Sequence, residues 1–375
     1  MISSISNSIL PYLLLMAKMV STAETITFYD GSDNDMCSLF LAPSTVPGAG
    51  YGIFTTKDVA PGTEFFGENI AVPLIDLSLY DVTHSLIFTD YYWAGSSEHQ
   101  KYEALELDMI ELSPLGTLSN HHSKLHNLAL VPGTHDDTMV NRLLDNEAGA
   151  FTYHGGERYC AKHAISAGSE LFNNYGNDWW EDRVTRFKLT LATGTNGDEQ
   201  QQSIADSQGE TCAAAAVGSA EAQQSIDEGM CPVEWIKMHG VCVDNIKLGK
   251  TSTITDNKAG RGAFAKRFLK AESLIAPIPL LHVIDKDVFN FYLWDTPNND
   301  GARVLLKEQG VIGKQLLLNY CFGHPQSSLL LCQTTNTALI NHNKDQPNAR
   351  IQWSEWDPST RSWLSLSFDE VSKKK

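Results

Sequence analysis

The sequence predicts a mostly β chain with few helices, built from one domain type used twice. Three repeated observations predict it. Gly50-Tyr51-Gly52-Ile53-Phe54-Thr55 recurs as Gly260-Arg261-Gly262-Ala263-Phe264-Ala265. Tyr91-Tyr92-Trp93 has a counterpart in Tyr292-Leu293-Trp294. The polar segment His121-His122-Ser123 has one in Asn341-His342-Asn343. The matching parts keep their order and stand roughly 200–220 residues apart, as duplication with small insertions would leave them.

Length and charge narrow the classes of function. A chain of 375 residues can hold two cores. Its net charge of −17 argues against direct nucleic-acid binding and against anionic membrane. A basic, lysine-bearing protein or peptide partner remains permitted. Cysteines stand at 37, 160, 212, 231, 242, 321 and 332, with no Cys-x-x-Cys, so no structural metal site is expected. The thiols are expected to be reduced; Cys231 and Cys242 are the nearest pair should the compartment be oxidising.

Residues 1–36 read as a leader. Residues 9–17 are apolar, and Ser21-Thr22-Ala23 offers the small residues of a cleavage site. No Lys or Arg precedes the apolar run. Two readings stand: a cleaved targeting peptide, or a loosely packed leader on a cytoplasmic or nuclear protein. The run is too short to span a bilayer.

Residues 37–193 form the first unit. Short apolar runs at 38–42 and 51–55, broken by Pro43, Pro47 and glycines, predict strands joined by turns. Residues 159–175 predict two strands about the turn Ala167-Gly168. Residues 179–192 predict a helix, with Glu181 and Asp182 at the start where the dipole favours acids. Residues 194–230 carry acids, no Lys or Arg and few large apolar groups, so they predict a flexible acidic linker.

Residues 231–375 form the second unit. Residues 234–245 open it, and 253–266 repeat the strand–turn–strand pattern. Apolar runs at 315–321 and 328–332 flank Gly323 and Pro325. Residues 350–353 and 362–368 predict strands around a turn at 357–360, and Lys373, Lys374 and Lys375 a solvated tail.

Three places could carry chemistry. Glycine removes the side-chain barrier to close backbone approach, so Gly50 and Gly52 could bring the chain against a ligand. The spacing is not that of a dinucleotide fingerprint. His121, His122 and Ser123, with Asn120 before and Asn127 after, form a polar segment suited to hydrogen bonding. Adjacent histidines on a strand point to opposite faces, which disfavours a metal there even with His126 close by. Tyr175 ends an apolar run, where a phenol keeps its hydroxyl wet.

Together these residues resemble the motifs of the SET domain, the fold of S-adenosyl-L-methionine-dependent protein lysine methyltransferases. Gly50-Tyr51-Gly52 runs on through Ile53-Phe54-Thr55-Thr56-Lys57-Asp58-Val59 to the turn Pro61-Gly62-Thr63-Glu64, like the family's opening. Its Asn-His-Ser segment falls on His121-His122-Ser123, with Asn127 trailing. Its closing Gly-Glu-Glu-Leu and Tyr-Gly resemble Gly168-Ser169-Glu170-Leu171 and Tyr175-Gly176. The resemblance covers about residues 37–177. It implies short curled sheets of the β-clip kind with a closing segment threaded through a loop. It further implies cofactor binding at Gly50, Tyr51, Gly52, Asn120, His121 and His122, with Tyr175 placing a substrate lysine amine. One departure is visible: His121 stands at the family's Asn, with Asn120 one place earlier. The second copy keeps Gly260, Gly262, Asn341-His342 and Pro347-Asn348, but no closing Gly-Glu-Glu-Leu and Tyr follow, so it reads as a truncated copy. The competing expectation is a non-catalytic module of the same fold that binds a peptide or partner protein.

Overall fold

The computed structural model describes residues 37–46, 49–66, 71–75, 93–94, 107–111, 113–131, 158–176, 228–249, 262–283, 286–293, 295, 304–324 and 327–352. The leader, the helix expected at 179–192, most of the 194–230 linker and everything beyond 352 lie outside the described residues. Within them the chain is mostly β, in small sheets with few helices.

Strands β1 (Leu39–Pro43) and β2 (Tyr51–Thr55) form an antiparallel hairpin, with Leu39 opposite Thr55 and Pro43 opposite Tyr51. Alternate residues of a strand point to opposite faces, and both faces here are covered. Leu39, Leu41 and Ile53 join a core with Val59, Phe65, Leu115, Tyr159 and Leu171. Phe40, Ala42 and Phe54 join another with Cys231 and Ile236. Two-sided burial explains why residues 39–42 are apolar without a break.

Strand β3 (Glu64–Phe65) leads to β4 (Ala71–Ile75), β5 (Trp93–Ala94) and β6 (Leu107–Glu111). The last three make an antiparallel sheet in the order β4-β6-β5. Pro73 lies on the edge strand β4, where a missing N–H is tolerated. The short helix α1 (Pro114–Leu118) follows β6. It starts because Ser113 Oγ accepts the Gly116 N–H at 3.4 Å and Pro114 pre-sets the first turn. Strands β7 (Leu128–Val131) and β8 (Arg158–Ala161) pair in the order β3-β8-β7, with Arg158 bridged to Glu64 at 2.7 Å. Strand β9 (Glu170–Leu171) then pairs with β2.

Helix α2 (Val233–His239) and strand β10 (Val241–Cys242) depart from expectation. They do not open a second unit. Strand β10 pairs with β1, Phe40 opposite Cys242, and completes a sheet in the order β10-β1-β2-β9. Ile236 of α2 fills the second face of the first hairpin. The C-terminal end of the expected linker is also part of this body: Glu170 donates to the Gly229 carbonyl at 2.8 Å and Cys231 to that of Gly168 at 2.9 Å. The physical reason is the two-sided apolar character of β1, whose second face and open edge α2 and β10 cover.

Strands β11 (Ile246–Gly249) and β12 (Gly262–Ala265) form the second hairpin. Its first strand lies before the 253–266 range expected for the pair. Next come β13 (Leu280–Val283), the pair β14 (Asn290–Tyr292) and β15 (Val311–Lys314), and then β16 (Cys321–His324) and β17 (Ser327–Gln333). Strands β13, β17 and β16 form an antiparallel sheet in the order β13-β17-β16. A 3-10 turn at Asn336–Leu339 follows β17 as α1 follows β6. The apolar run at 315–321 is a 3-10 turn over Leu316–Tyr320, burying Leu317 and Tyr320 three residues apart on one side. Residues 350–352, expected as the start of a strand, are irregular and exposed at 350–352.

The two halves share a core. Val72, Leu74 and Ile110 from β4 and β6 pack with Leu281, Val283, Val288, Phe289, Leu317, Tyr320, Cys332 and Leu339. The Thr117 hydroxyl, which donates to the Ser113 carbonyl at 2.7 Å, also lies 3.3 Å from the Thr334 carbonyl across the same junction. The expected reduced thiols are overturned as well. Cys37 is bonded to Cys242 and Cys321 to Cys332, Cys231 is also disulfide-bonded, and Cys160 is free. Cys231 and Cys242, neighbours in sequence, lie in different bridges.

Candidate functional site

The site grows from the turn between β1 and β2. The Ser44 N–H donates to the Gly50 carbonyl at 2.8 Å and closes the hairpin. Gly50 has φ +73°, and a Cβ there would meet no described residue within 4 Å. Its glycine is required by backbone conformation. Tyr51 is 47% exposed. Gly52 differs: a Cβ would stand 2.0 Å from Glu170 Oε1 and 3.1 Å from Asn120 Nδ2. The side chain missing at Gly52 makes room for Glu170 from β9.

Glu170 is the hub. Its Oε1 accepts from the Ser44 hydroxyl at 2.7 Å and the Asn120 amide at 2.9 Å. Its Oε2 accepts from the Thr45 N–H at 2.7 Å and the Thr45 hydroxyl at 2.6 Å. Burial pushes its carboxyl above the ordinary value, against the pull of these donors on Thr45, Asn120 and Ser44. The Asn120 amide also donates to the Tyr51 carbonyl at 3.0 Å and to Ser44 Oγ at 3.1 Å. Two segments about 70 residues apart in sequence are thereby tied to the closing strand through one carboxylate.

The closing segment runs from β9 to Tyr175 between β2 and residues 119–128. Ile53 is opposite Leu171 on one side. On the other, His121 bridges Asn173 in parallel, Asn173 donates to the Asn120 carbonyl at 2.9 Å, and His122 donates to the Asn173 carbonyl at 3.3 Å. The Asn127 side chain acts as a further rung: its Nδ2 donates to the Glu170 carbonyl at 2.8 Å, and its Oδ1 accepts the Phe172 N–H at 2.9 Å.

Tyr175 ends up against His121. Its N–H donates to His121 Nδ1 at 3.1 Å, the ring centroids are 5.6 Å apart, and its hydroxyl donates to the Ser119 carbonyl. The His122 ring lies 5.2 Å from that of Phe172, and its Nδ1 accepts from Lys124 at 3.2 Å and Leu125 at 2.9 Å. Burial, with His122 and His126 beside it, holds His121 below its usual pKa of 6.5. Burial, Lys124 and His126 do the same to His122. Each Nδ1 is an acceptor here, so both neutral rings carry their proton on Nε2.

The structure thus brings Gly50, Tyr51, Gly52, Asn120, His121, His122 and Tyr175 into one neighbourhood. Sequence reasoning missed Glu170 as its centre, together with Ser44 and Thr45. The signal was an acid inside the apolar run Glu170-Leu171-Phe172, where a charge needs partners. His121, His122 and His126 form no metal-ligating group. Among the described residues such a group exists at Cys37, Cys242 and Asp244. There the two sulfurs are bonded to each other, and the Asp244 carboxylate is held by Arg267 at 3.3 Å and Lys266 at 3.6 Å. A surface cleft of about 350 Å³ beside that disulfide, lined by Arg267, Phe268 and Leu274 among others, shares no residue with the candidate site.

No protein-family model and no curated protein matches the chain. A solved structure of a Plasmodium falciparum protein, named as a candidate histone methyltransferase, aligns with 39% of this chain and 98% of its own at 16% identity. Its TM-score is 0.26, too low for the likeness to carry an argument. No described helix is long and apolar enough to cross a membrane.

Proposed function

We propose that the chain is a SET-type protein lysine methyltransferase that uses S-adenosyl-L-methionine and acts on a lysine-bearing protein or peptide. The observation that carries this reading is the convergence of the Gly50–Gly52 turn, the Asn120–His122 segment and Tyr175 around Glu170. That motifs far apart in sequence meet in one neighbourhood supports the reading. The recurrence of a hairpin followed by the strand orders β4-β6-β5 and β13-β17-β16 supports a tandem duplication, with the second copy as partner to the first.

The residues present fit the cofactor in part. A Cβ at Gly50 would meet no described residue, Tyr51 is exposed, and Ser119 Oγ and Asn173 Nδ2 are buried without a hydrogen-bond partner among the described residues. Gly50, Tyr51, His121 and His122 would hold it. Gly52 and Asn120 would act from behind, through Glu170. When bound, the cofactor supplies an electrophilic methyl group on a sulfonium. Methyl transfer depends mainly on orientation. Because the Tyr175 proton goes to the Ser119 carbonyl, its phenol oxygen acts as an acceptor toward an amine N–H and would aim the amine lone pair. The disulfides favour an oxidising compartment and hence the targeting reading of residues 1–36.

One observation favours the second reading, a non-catalytic module that binds a peptide or partner protein. The Asn120 amide is spent on Tyr51, Ser44 and Glu170. Calorimetric titration of the full chain with S-adenosyl-L-methionine, and transfer of labelled methyl to a mixed protein extract, decide between them. Micromolar binding with transfer upholds the enzyme; absence of both replaces it with the binding module.

A further inference from the structure

We infer that His121 is a positioning residue for Tyr175, holding the closing segment through its ring Nδ1. This rests on the reading of Tyr175 as the residue at the acceptor amine, but its test does not need activity.

The geometry is specific. The Tyr175 N–H donates to His121 Nδ1 at 3.1 Å, and the two rings stand 5.6 Å apart. Two residues upstream, Asn173 is bridged to the same His121 backbone. On the far side of the phenol, its hydroxyl is taken by the Ser119 carbonyl. Tyr175 is therefore gripped at both ends by residues 119 and 121. The hydroxyl end depends on a backbone carbonyl that no substitution removes. The amide end depends on one side-chain atom.

That atom also explains how a histidine serves where the SET resemblance has an asparagine. Nδ1 of histidine and Oδ1 of asparagine both stand two bonds beyond Cβ and both can accept an N–H. They differ in one respect: the imidazole titrates and the amide does not. Protonation would place a hydrogen on Nδ1, facing the Tyr175 N–H, and two donors would then oppose each other. The grip on Tyr175 becomes dependent on pH in this chain.

The groups around His121 set where this happens. On its own loop these are His122 and His126, with Lys124 beside His122. From the turn after β8, Lys162 Nζ approaches His126 Nε2 at 2.6 Å. From the closing segment come Glu170, reached through Asn120, and Tyr175 itself. The nearby cationic groups and burial all oppose protonation, so the ring stays neutral until the pH falls below 6.5.

The test uses the full chain labelled with 15N-tyrosine, in which Tyr175→Phe identifies one amide among the 12 tyrosines. The Tyr175 amide resonance is followed from pH 8 to pH 5. The expected result is a shift with a midpoint below 6.5. His121→Asn should abolish that titration and keep the amide protected from exchange at pH 8. His121→Ala should lower the protection roughly 5-fold, the equivalent of one net hydrogen bond of about 1 kcal/mol. His122→Asn should leave the Tyr175 titration in place, because the His122 ring accepts from Lys124 and Leu125 instead. A Tyr175 amide that does not move with pH, that still titrates in His121→Asn, or that keeps full protection in His121→Ala overturns the proposal. Failure of the full chain to bind or use S-adenosyl-L-methionine would remove the enzymatic reading and leave these outcomes as they stand.

Discussion

Gly52 and Glu170 occupy what would otherwise be the same space: a Cβ on Gly52 would lie 2.0 Å from the Glu170 carboxylate. The glycine is the complement of a buried acid. This relationship separates the two glycines of the turn. Gly52→Ala should force Glu170 away from its donors and cost about 1–3 kcal/mol, as overpacking does. Gly50→Ala should cost about 1–2 kcal/mol through its left-handed backbone alone. Urea denaturation of the two variants measures both losses. A Gly52→Ala variant as stable as the unchanged chain would contradict the placement of Glu170.

Glu170→Gln is a near-isosteric change with a clear sign. The carboxylate accepts four hydrogen bonds, two at each oxygen. An amide offers one accepting oxygen and turns two donors toward groups that also donate. Neither the Thr45 N–H nor the Asn120 N–H can reverse its role. The expected loss is about 1–3 kcal/mol for a buried donor left unpaired. Chemical denaturation reads it directly.

Acid should destabilise the fold through His121 and His122. Their folded-state pKa values lie below 6.5. Between those values and 6.5 the unfolded chain binds more protons, so stability present at higher pH is lost as the pH falls through this window. Comparison of urea midpoints at pH 7.5 and pH 5 tests this. His121→Ala should flatten the dependence, and an unchanged slope would assign it elsewhere.

The halves should unfold together. Phe289, 2% exposed, packs in the same core as Val72, Leu74 and Ile110. Phe289→Ala should cost about 3–5 kcal/mol. It should also lower hydrogen-exchange protection at residues 107–111 in the other half. A fragment of residues 37–243 would expose that face of β4 and β6 and should aggregate.

Tyr175→Phe tests the proposed chemistry. It removes the hydroxyl given to the Ser119 carbonyl and little volume. Methyl transfer should fall about 5- to 150-fold, the range set by roughly 1–3 kcal/mol of lost orientation. Cofactor affinity should change only a few-fold. Single-turnover transfer with titration of S-adenosyl-L-methionine separates the two effects.

What the sequence made legible was local. Strands β1 and β2 fall where predicted, because apolar runs separated by Pro43, Pro47 and Gly50 leave few other options. The candidate residues were found because each motif is contiguous. The carboxylate joining them was not, because Glu170 meets Ser44, Thr45 and Asn120 only after the closing segment is threaded. Strand β10 was misplaced for the same reason: Val241 and Cys242 are too few to carry a pattern, and their partner is β1. Cysteine spacing likewise pointed to Cys231 with Cys242, whereas sheet pairing sets Cys242 beside Cys37.

The bridge between Cys37 and Cys242 spans 205 residues, and β10 beside it is the outer neighbour of β1. On the ribosome, β1 and β2 emerge long before the strand that completes their sheet. At about 5–20 residues per second, roughly 10–40 s separate the two events. Throughout that interval β1 has an unpaired edge, and Phe40, Ala42 and Phe54 await Ile236. Such an edge is a template for pairing with other chains. The first strands to be made are among the last to be finished, so the yield of folded protein depends on keeping that edge covered while translation continues.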